Sequence, residues 1–336
     1  MIRFSLKALC LGLATLTCVP FGSITNAVTI QWVTVGDPGN TNDTTNRGAV
    51  ATSFQIMKYE WTNSQYVDFL NAVDASGTNP NSVYNTAMGS DVRGGISFTS
   101  GASLGSKYAT KTDMGDKPVN YVSWWDAARV ANWLQNGQGS GSTETGAYTL
   151  NNATSGTAPA VNPGATFYVP KENQWYKAAY YKGGGTSAGY WDYATQSDTA
   201  PTAVGAGETG IGSAGSTGNF ANFSDGADWN GQNGNVTTVG TNGVSSAYDT
   251  FDMSGNILEW NDLTGAAGST RQLRGGYWSS FSAFNLSSAA SNDIDPSTEE
   301  FGFGFRLASP VAVPEPSTVA LAVAGLVCGG LQMYRR

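Results

Sequence analysis

The densest run of side chains able to do chemistry lies in the last third of this 336-residue chain. It reads Asp252-Met-Ser-Gly255-Asn256-Ile257-Leu-Glu259-Trp260, then Leu273-Arg274-Gly-Gly-Tyr-Trp278, and finally Gly304-Phe305-Arg306. What these groups can do is bounded by what is missing. The chain has no histidine, and its three cysteines are Cys10, Cys18 and Cys328, near the two ends. The region between them therefore cannot assemble a Ser-His-Asp or Cys-His nucleophile, a histidine-held zinc or iron, or a thiolate-held copper. Metals that accept oxygen ligands remain. Arg274 and Arg306 each sit between apolar residues in a glycine-rich block. They read as guanidinium groups that satisfy buried carbonyls or pair a carboxylate, in preference to clamping an anion.

Several elements must position these residues. Val28 to Val35 and Phe54 to Glu60 alternate as strands do. Thr62-Asn-Ser-Gln65 forms a capping box ahead of Tyr66, Phe69, Leu70 and Val73, whose spacing predicts an amphipathic helix over 63–73. Residues 74–115 are rich in Gly, Ser, Thr and Asn and read as a long loop. Ser123 is the expected N-cap of a second helix with an inner stripe of Ala127, Val130, Ala131 and Leu134, stopped by Asn136-Gly137. Phe167-Tyr-Val169 reads as a short strand, and Pro170 as the first turn of a third helix through Trp175 to Tyr181. From Lys182 to Ser246 glycines interrupt scattered aromatics, which suggests packed irregular chain. Charged residues make up 12% of the chain, with a net charge of −8 and a pI near 4.5. No basic patch exists to displace counterions from phosphates, so a nucleic-acid partner is disfavoured. The ten tryptophans supply the apolar area that a disordered chain lacks.

The ends suggest export. Arg3 and Lys7 precede an apolar run from Ala8 to Val19, with a small-residue cleavage position at Thr25-Asn-Ala27, as in a secretory signal over 1–27. At the other end, Val313-Pro314-Glu315-Pro316 leads into an almost wholly apolar stretch closed by Arg335-Arg336. This reads as a transmembrane helix over 317–334 with its arginines on the cytoplasmic side. The segment 310–336 resembles a PEP-CTERM sorting tail. That resemblance implies an exosortase-type sorting enzyme as partner. It also implies delivery to the cell envelope, either membrane-anchored through the C-terminal helix or released to the cell surface or extracellular matrix.

The central region, 28–309, carries six blocks in order: Glu60-Trp-Thr-Asn-Ser-Gln-Tyr66, Pro118-Val-Asn-Tyr-Val-Ser-Trp124, Val169-Pro-Lys-Glu-Asn-Gln-Trp175, Asp252 to Trp260, Arg274-Gly-Gly-Tyr-Trp278 and Gly304-Phe-Arg306. Together they resemble the formylglycine-generating enzyme family, the sulfatase-modifying factor domain. The resemblance implies an α+β, C-type-lectin-like fold, loop-rich, with small twisted antiparallel sheets and about three helices. It also implies calcium at the Asp252 block, with carboxylates from Asp252 and Glu259 and carbonyls from Gly255 and Ile257. Calcium takes six to eight oxygens, and a glycine lets the chain curl until its carbonyls converge. Asn222 and the carbonyl of Phe223 are implied at a second calcium.

The family's oxidases use a copper-binding cysteine pair between the Arg-Gly-Gly block and the final Gly-Phe-Arg. Here that segment begins Ser279-Ser280-Phe-Ser-Ala-Phe-Asn285 and contains no thiol. A serine hydroxyl is neither a copper ligand nor a redox group at neutral pH. The resulting reading is an exported surface or matrix protein that binds a partner, such as an extracellular polysaccharide or a surface protein, with no copper or iron. The alternative is a modifying enzyme built on carboxylates, tyrosines and serines. That alternative needs a polar pocket near Ser280 faced by Glu299 or Asp293. A binder should present its ligand surface in the loops at 80–110 or 185–235, with no convergent polar pocket near Ser280. Trp124, Trp125, Trp175, Trp260 and Trp278 read as core, and Trp191 and Trp229 as exposed ligand contacts.

Overall fold

A computed structural model of the chain describes residues 27–310. The leader, Ala27 apart, and the 317–334 helix lie outside those residues. Among the described residues no helix is long and apolar enough to cross a membrane.

The first strand, β1 (Trp32–Val35), pairs antiparallel with β2 (Phe54–Met57), Val33 opposite Ile56. It starts later than the alternation from Val28 suggests, because the Gln138 amide takes both main-chain groups of Val28. Helix α1 (Asn63–Val73) opens on the Thr62–Gln65 capping box and buries Tyr66, Phe69 and Leu70. The stretch expected as one loop instead holds a single-turn helix, α2 (Ala87–Ser90), and a hairpin of β3 (Ile96–Phe98) and β4 (Tyr108–Thr110). Its few aromatics hold it: Tyr108 lies 5.1 Å from Tyr84 and 5.3 Å from Phe98 between ring centres. The polar residues around them hid the pairing in composition.

Helix α3 (Trp124–Gln135) begins at the Ser123 cap, which pairs reciprocally with Asp126. It was expected to bury one stripe, yet every residue from Trp124 to Leu134 is buried. The Gly/Ser/Thr-rich segment that follows wraps it: Asn132 donates to the carbonyls of Thr143 and Tyr148, and Arg129 pairs with Glu144. In helix α4 (Glu172–Tyr180) the N-cap is Lys171, so Pro170 lies just before the helix and not in its first turn. The strand expected at 167–169 reduces to one bridge between Tyr168 and Ala308.

A two-residue parallel pair, β5 (Thr202–Ala203) with β6 (Phe220–Ala221), crosses the glycine-rich region. The last third supplies β7 (Leu258–Asn261), β8 (Arg271–Arg274), a 3-10 turn at Ala283–Leu286, β9 (Asn292–Ile294), β10 (Phe303–Gly304) and β11 (Ala308–Ser309). One sheet has the order β10-β7-β8-β9, with β9 at an edge. Another, β1-β2-β11, brings the last described strand against the second. The sheets are therefore not all antiparallel as expected: β10 runs parallel to β7, and β6 to β5. Chain returning to β7 after two intervening strands enters in the same direction. Tryptophans dominate the core between these layers, with Trp61 stacked on Phe305 at 5.7 Å and Trp124, Trp125, Trp175 and Trp260 buried.

Candidate functional site

The Asp252–Trp260 block folds into a buried polar knot. Its turn requires glycine at 255: φ is +93°, and a Cβ there would meet the Asn222 carbonyl oxygen at 2.4 Å. Asn256 follows in the left-handed region and bonds outward in two directions. Its side-chain amide donates to Glu60 at 3.0 Å, and its oxygen accepts from Asn222 at 3.1 Å. The residues expected at two separate calcium sites are thus joined through one asparagine. Glu60, Asn235 and Thr237, which bond within this knot, were not singled out from the sequence. Glu60 stands in one of the six ordered blocks, and that was the only signal for it.

The two expected ligand groups differ in what they have free. Both Glu259 oxygens are taken by Arg306, at 2.6 and 2.7 Å, and Trp175 donates to one of them at 2.8 Å. A guanidinium therefore stands where a cation beside Glu259 would be. Asp252 accepts from the Gly240 amide and from Asn242. Burial pushes its carboxyl up against the pull of those donors. Burial, reinforced by Asp252, pushes Glu60 well above the usual carboxylate range, and its second oxygen has no partner among the described residues. The Arg306 guanidinium feels burial most, but Glu259, Glu60 and Asp252 more than offset it and hold it protonated. Asn222 is different. Its amide nitrogen faces three acceptors, on Asn235, Thr237 and Asn256, which fixes its orientation. The fully buried oxygen on the other side has no partner among the described residues. That orphan acceptor fits an oxygen-ligated cation, whereas the Glu259 side chain, already answered by Arg306, and the Asp252 side chain, held by Gly240 and Asn242, do not. No three carboxylate, imidazole or thiol side chains converge as a metal cluster among the described residues. A cation here would rest on amide and carbonyl oxygens.

The second feature is a cleft of about 310 Å³ between the 3-10 turn and β9. Leu258, Leu273 and Arg274 line it from the strands, and Gly276 from just beyond β8. Tyr277, Ser280, Phe284 and Asn285 line it from the segment after β8, and Ala289 to Asn292 from the other side. Gly276 permits this shape, since at φ +72° a Cβ would meet Leu286 at 2.8 Å. Arg274 builds the wall. It pairs with Glu172 and donates to the carbonyls of Ser288 and Ala290, at 3.0 and 2.6 Å. Both arginines therefore do the structural work read from their sequence surroundings.

A family model described as "Sulfatase-modifying factor enzyme 1-like domain" matches residues 17–311. The chain belongs to this family. The α+β, C-type-lectin-like fold goes with it, built among the described residues from small sheets, four helices and much irregular chain. Solved structures similar to this sulfatase-modifying-factor-like chain include Treponema denticola variable protein 1, at 17% identity over 85% of this chain and 97% of that one, with a TM-score of 0.48. CarF matches at 21% identity, 84% and 99% coverage and a TM-score of 0.48. PvdO from Pseudomonas aeruginosa matches at 18%, 84% and 92%, with a TM-score of 0.43. No curated protein sequence matches.

The domain thus has a pocket at Ser280, where the binder reading expected none and outside the loops at 80–110 and 185–235; the two carboxylates named for the enzyme alternative do not face it. The Ser280 hydroxyl accepts from the Tyr277 amide at 3.0 Å. Asp293 accepts from Gln272, and Glu299 accepts from Asn85; neither lines the cleft. The two outlying tryptophans divide. Trp191 is half-buried beneath Lys182, 4.0 Å from its ring centre. Trp229 is not the exposed contact expected: it is 5% exposed, packs with Val236, Ile257 and Trp278, and donates to the Val236 carbonyl. Aromatic packing prevails over the surrounding glycines there.

Proposed function

We propose that this chain is an exported, ligand-binding member of the sulfatase-modifying-factor family that has exchanged oxidation for recognition at the cleft over Arg274. The observation that carries this reading is the cleft lining. It presents hydroxyl, amide and aromatic groups, with no thiol, imidazole or free carboxylate. In the family the oxidising cysteine pair belongs to the segment after the Arg-Gly-Gly block, which here supplies Ser280, Phe284 and Asn285 to the cleft. A volume of about 310 Å³ lies at the small end of ordinary ligand sites. Calcium has a structural place in this reading, with the Asn222 side-chain oxygen and the Phe223 carbonyl as its protein ligands and the 222–257 loops as what it would hold. The leader over 1–27 and the PEP-CTERM-like tail over 310–336 supply export and exosortase sorting to the cell envelope.

The experiment is a ligand-observed NMR screen of small neutral fragments against the full chain and against Ser291→Trp, which fills the cleft from its exposed wall. Fragments that bind the parent and not the variant support the proposal. Fragments that bind both equally, or none at all, contradict it.

A further inference from the structure

We infer that the ligand of this cleft is an uncharged saccharide, stacked on the Phe284 ring and held by the side chains of Asn285, Ser291 and Asn292. The inference rests on the reading of the cleft as a binding site and specifies its chemistry.

Charge is the first argument. The only lining cation, Arg274, is 1% exposed and commits its guanidinium to Glu172 and to the carbonyls of Ser288 and Ala290. Tyr277, the other ionisable lining group, has its phenol pushed up by burial and stays neutral. No lining side chain is left to neutralise a phosphate, carboxylate or ammonium, and an ion brought in without a partner loses hydration it cannot recover. Ionic ligands are thus disfavoured.

Hydrogen bonding is the second. Among the described residues, the side chains of Asn285, Ser291 and Asn292 make no hydrogen bond to the protein, and all three are exposed. Amides and hydroxyls each both donate and accept. This mixed set matches a sugar hydroxyl, which also does both, in any of several orientations. The Phe284 ring points the same way. Phe284 is 59% exposed, has no aromatic partner among the described residues and lines the cleft. Elsewhere the aromatic side chains of this protein mostly pack on one another. A flat apolar face beside unspent polar groups suits a pyranose, whose C–H face is apolar and whose rim is polar. A cleft of this size takes a short stretch of such a chain.

The test uses the full chain and three probes: neutral glucose-, mannose- and galactose-based hexasaccharides, a uronic-acid hexasaccharide, and a library of uncharged peptides. Calorimetry should show binding of at least one neutral hexasaccharide and none of the uronic acid. Phe284→Ala should weaken that binding by about tenfold, the loss of one stacking contact. Its thermal melt should be unchanged, because the ring is exposed. Asn285→Ala should weaken it further in the same background. Uronic-acid binding equal to the neutral sugar, or no sugar binding, overturns the saccharide assignment. If the peptides alone bind, and lose binding in Phe284→Ala, the cleft stands as a site while its saccharide ligand does not. Sugar binding that persists in Phe284→Ala and Ser291→Trp alike overturns the cleft itself.

Discussion

At the scale of single residues, one ion pair organises the centre of the molecule. Arg306 joins Glu259 to the carbonyls of Met57, Lys58 and Phe251, so one side chain ties β2, β7 and the chain before the Asp252 block. Removing it leaves Glu259, Asp252 and Glu60 without their cation in a dry interior. Arg306→Met should therefore cost about 3–5 kcal/mol in urea unfolding. The double variant Glu259→Gln/Arg306→Met should lose clearly less than the sum of the two single losses; strict additivity would contradict the pairing. Such roles were partly legible. Arg274 and Arg306 sat among apolar neighbours, which pointed to buried partners and not to an anion site. Their particular partners were not legible, because Glu172 and Arg274 are brought together across 102 positions of chain. Nor did sequence reveal that Arg306 takes the place of a cation at Glu259.

At the scale of elements, helices were readable where a cap and a stripe occurred together. Thr62–Gln65 forms the reciprocal bonds its spacing implies, and Ser123 caps its helix as expected, with Asp126 completing a box. The β3–β4 hairpin was unreadable, since its strands are three residues each and its stability comes from aromatic contacts with Tyr84, outside either strand. Likewise β5 and β6 have two residues apiece, too few for any periodicity. The loops from Asn222 to Ile257 depend instead on side-chain amides. If calcium answers the orphan Asn222 oxygen, chelation by EGTA should lower the melting temperature of the full chain. Asn222→Ala should melt lower and no longer respond to EGTA. A melting temperature indifferent to EGTA in the parent would remove calcium from the account.

At the scale of the whole molecule, a low charge content places the remaining carboxylates in unusual surroundings. Burial, aided by the nearby Asp126, pushes Glu299 up to about 8, against the bond from Asn85. Burial also pushes Asp126 up to about 6, although Ser123 and Arg129 oppose it. Both groups hold a proton in the folded state that the unfolded chain releases near pH 4. Their contribution is thus complete at acid pH and is lost as pH rises through about 6 and then 8. Urea midpoints should fall from pH 5 to pH 8, and Glu299→Gln should flatten the upper part of that slope; a rising midpoint would contradict the assignment. Family membership, the α+β fold and the absence of central thiols could all be read from the chain. The cleft could not, since its lining comes from β7, β8, the 3-10 turn and the chain leading into β9, which only the folded sheet brings together. In the proposed function, this family's fold recognises a ligand and does not oxidise it. The most direct measurement is oxygen uptake by the full chain with added copper and a cysteine-containing peptide. Uptake should not exceed the protein-free rate; sustained uptake proportional to protein would overturn the proposed function.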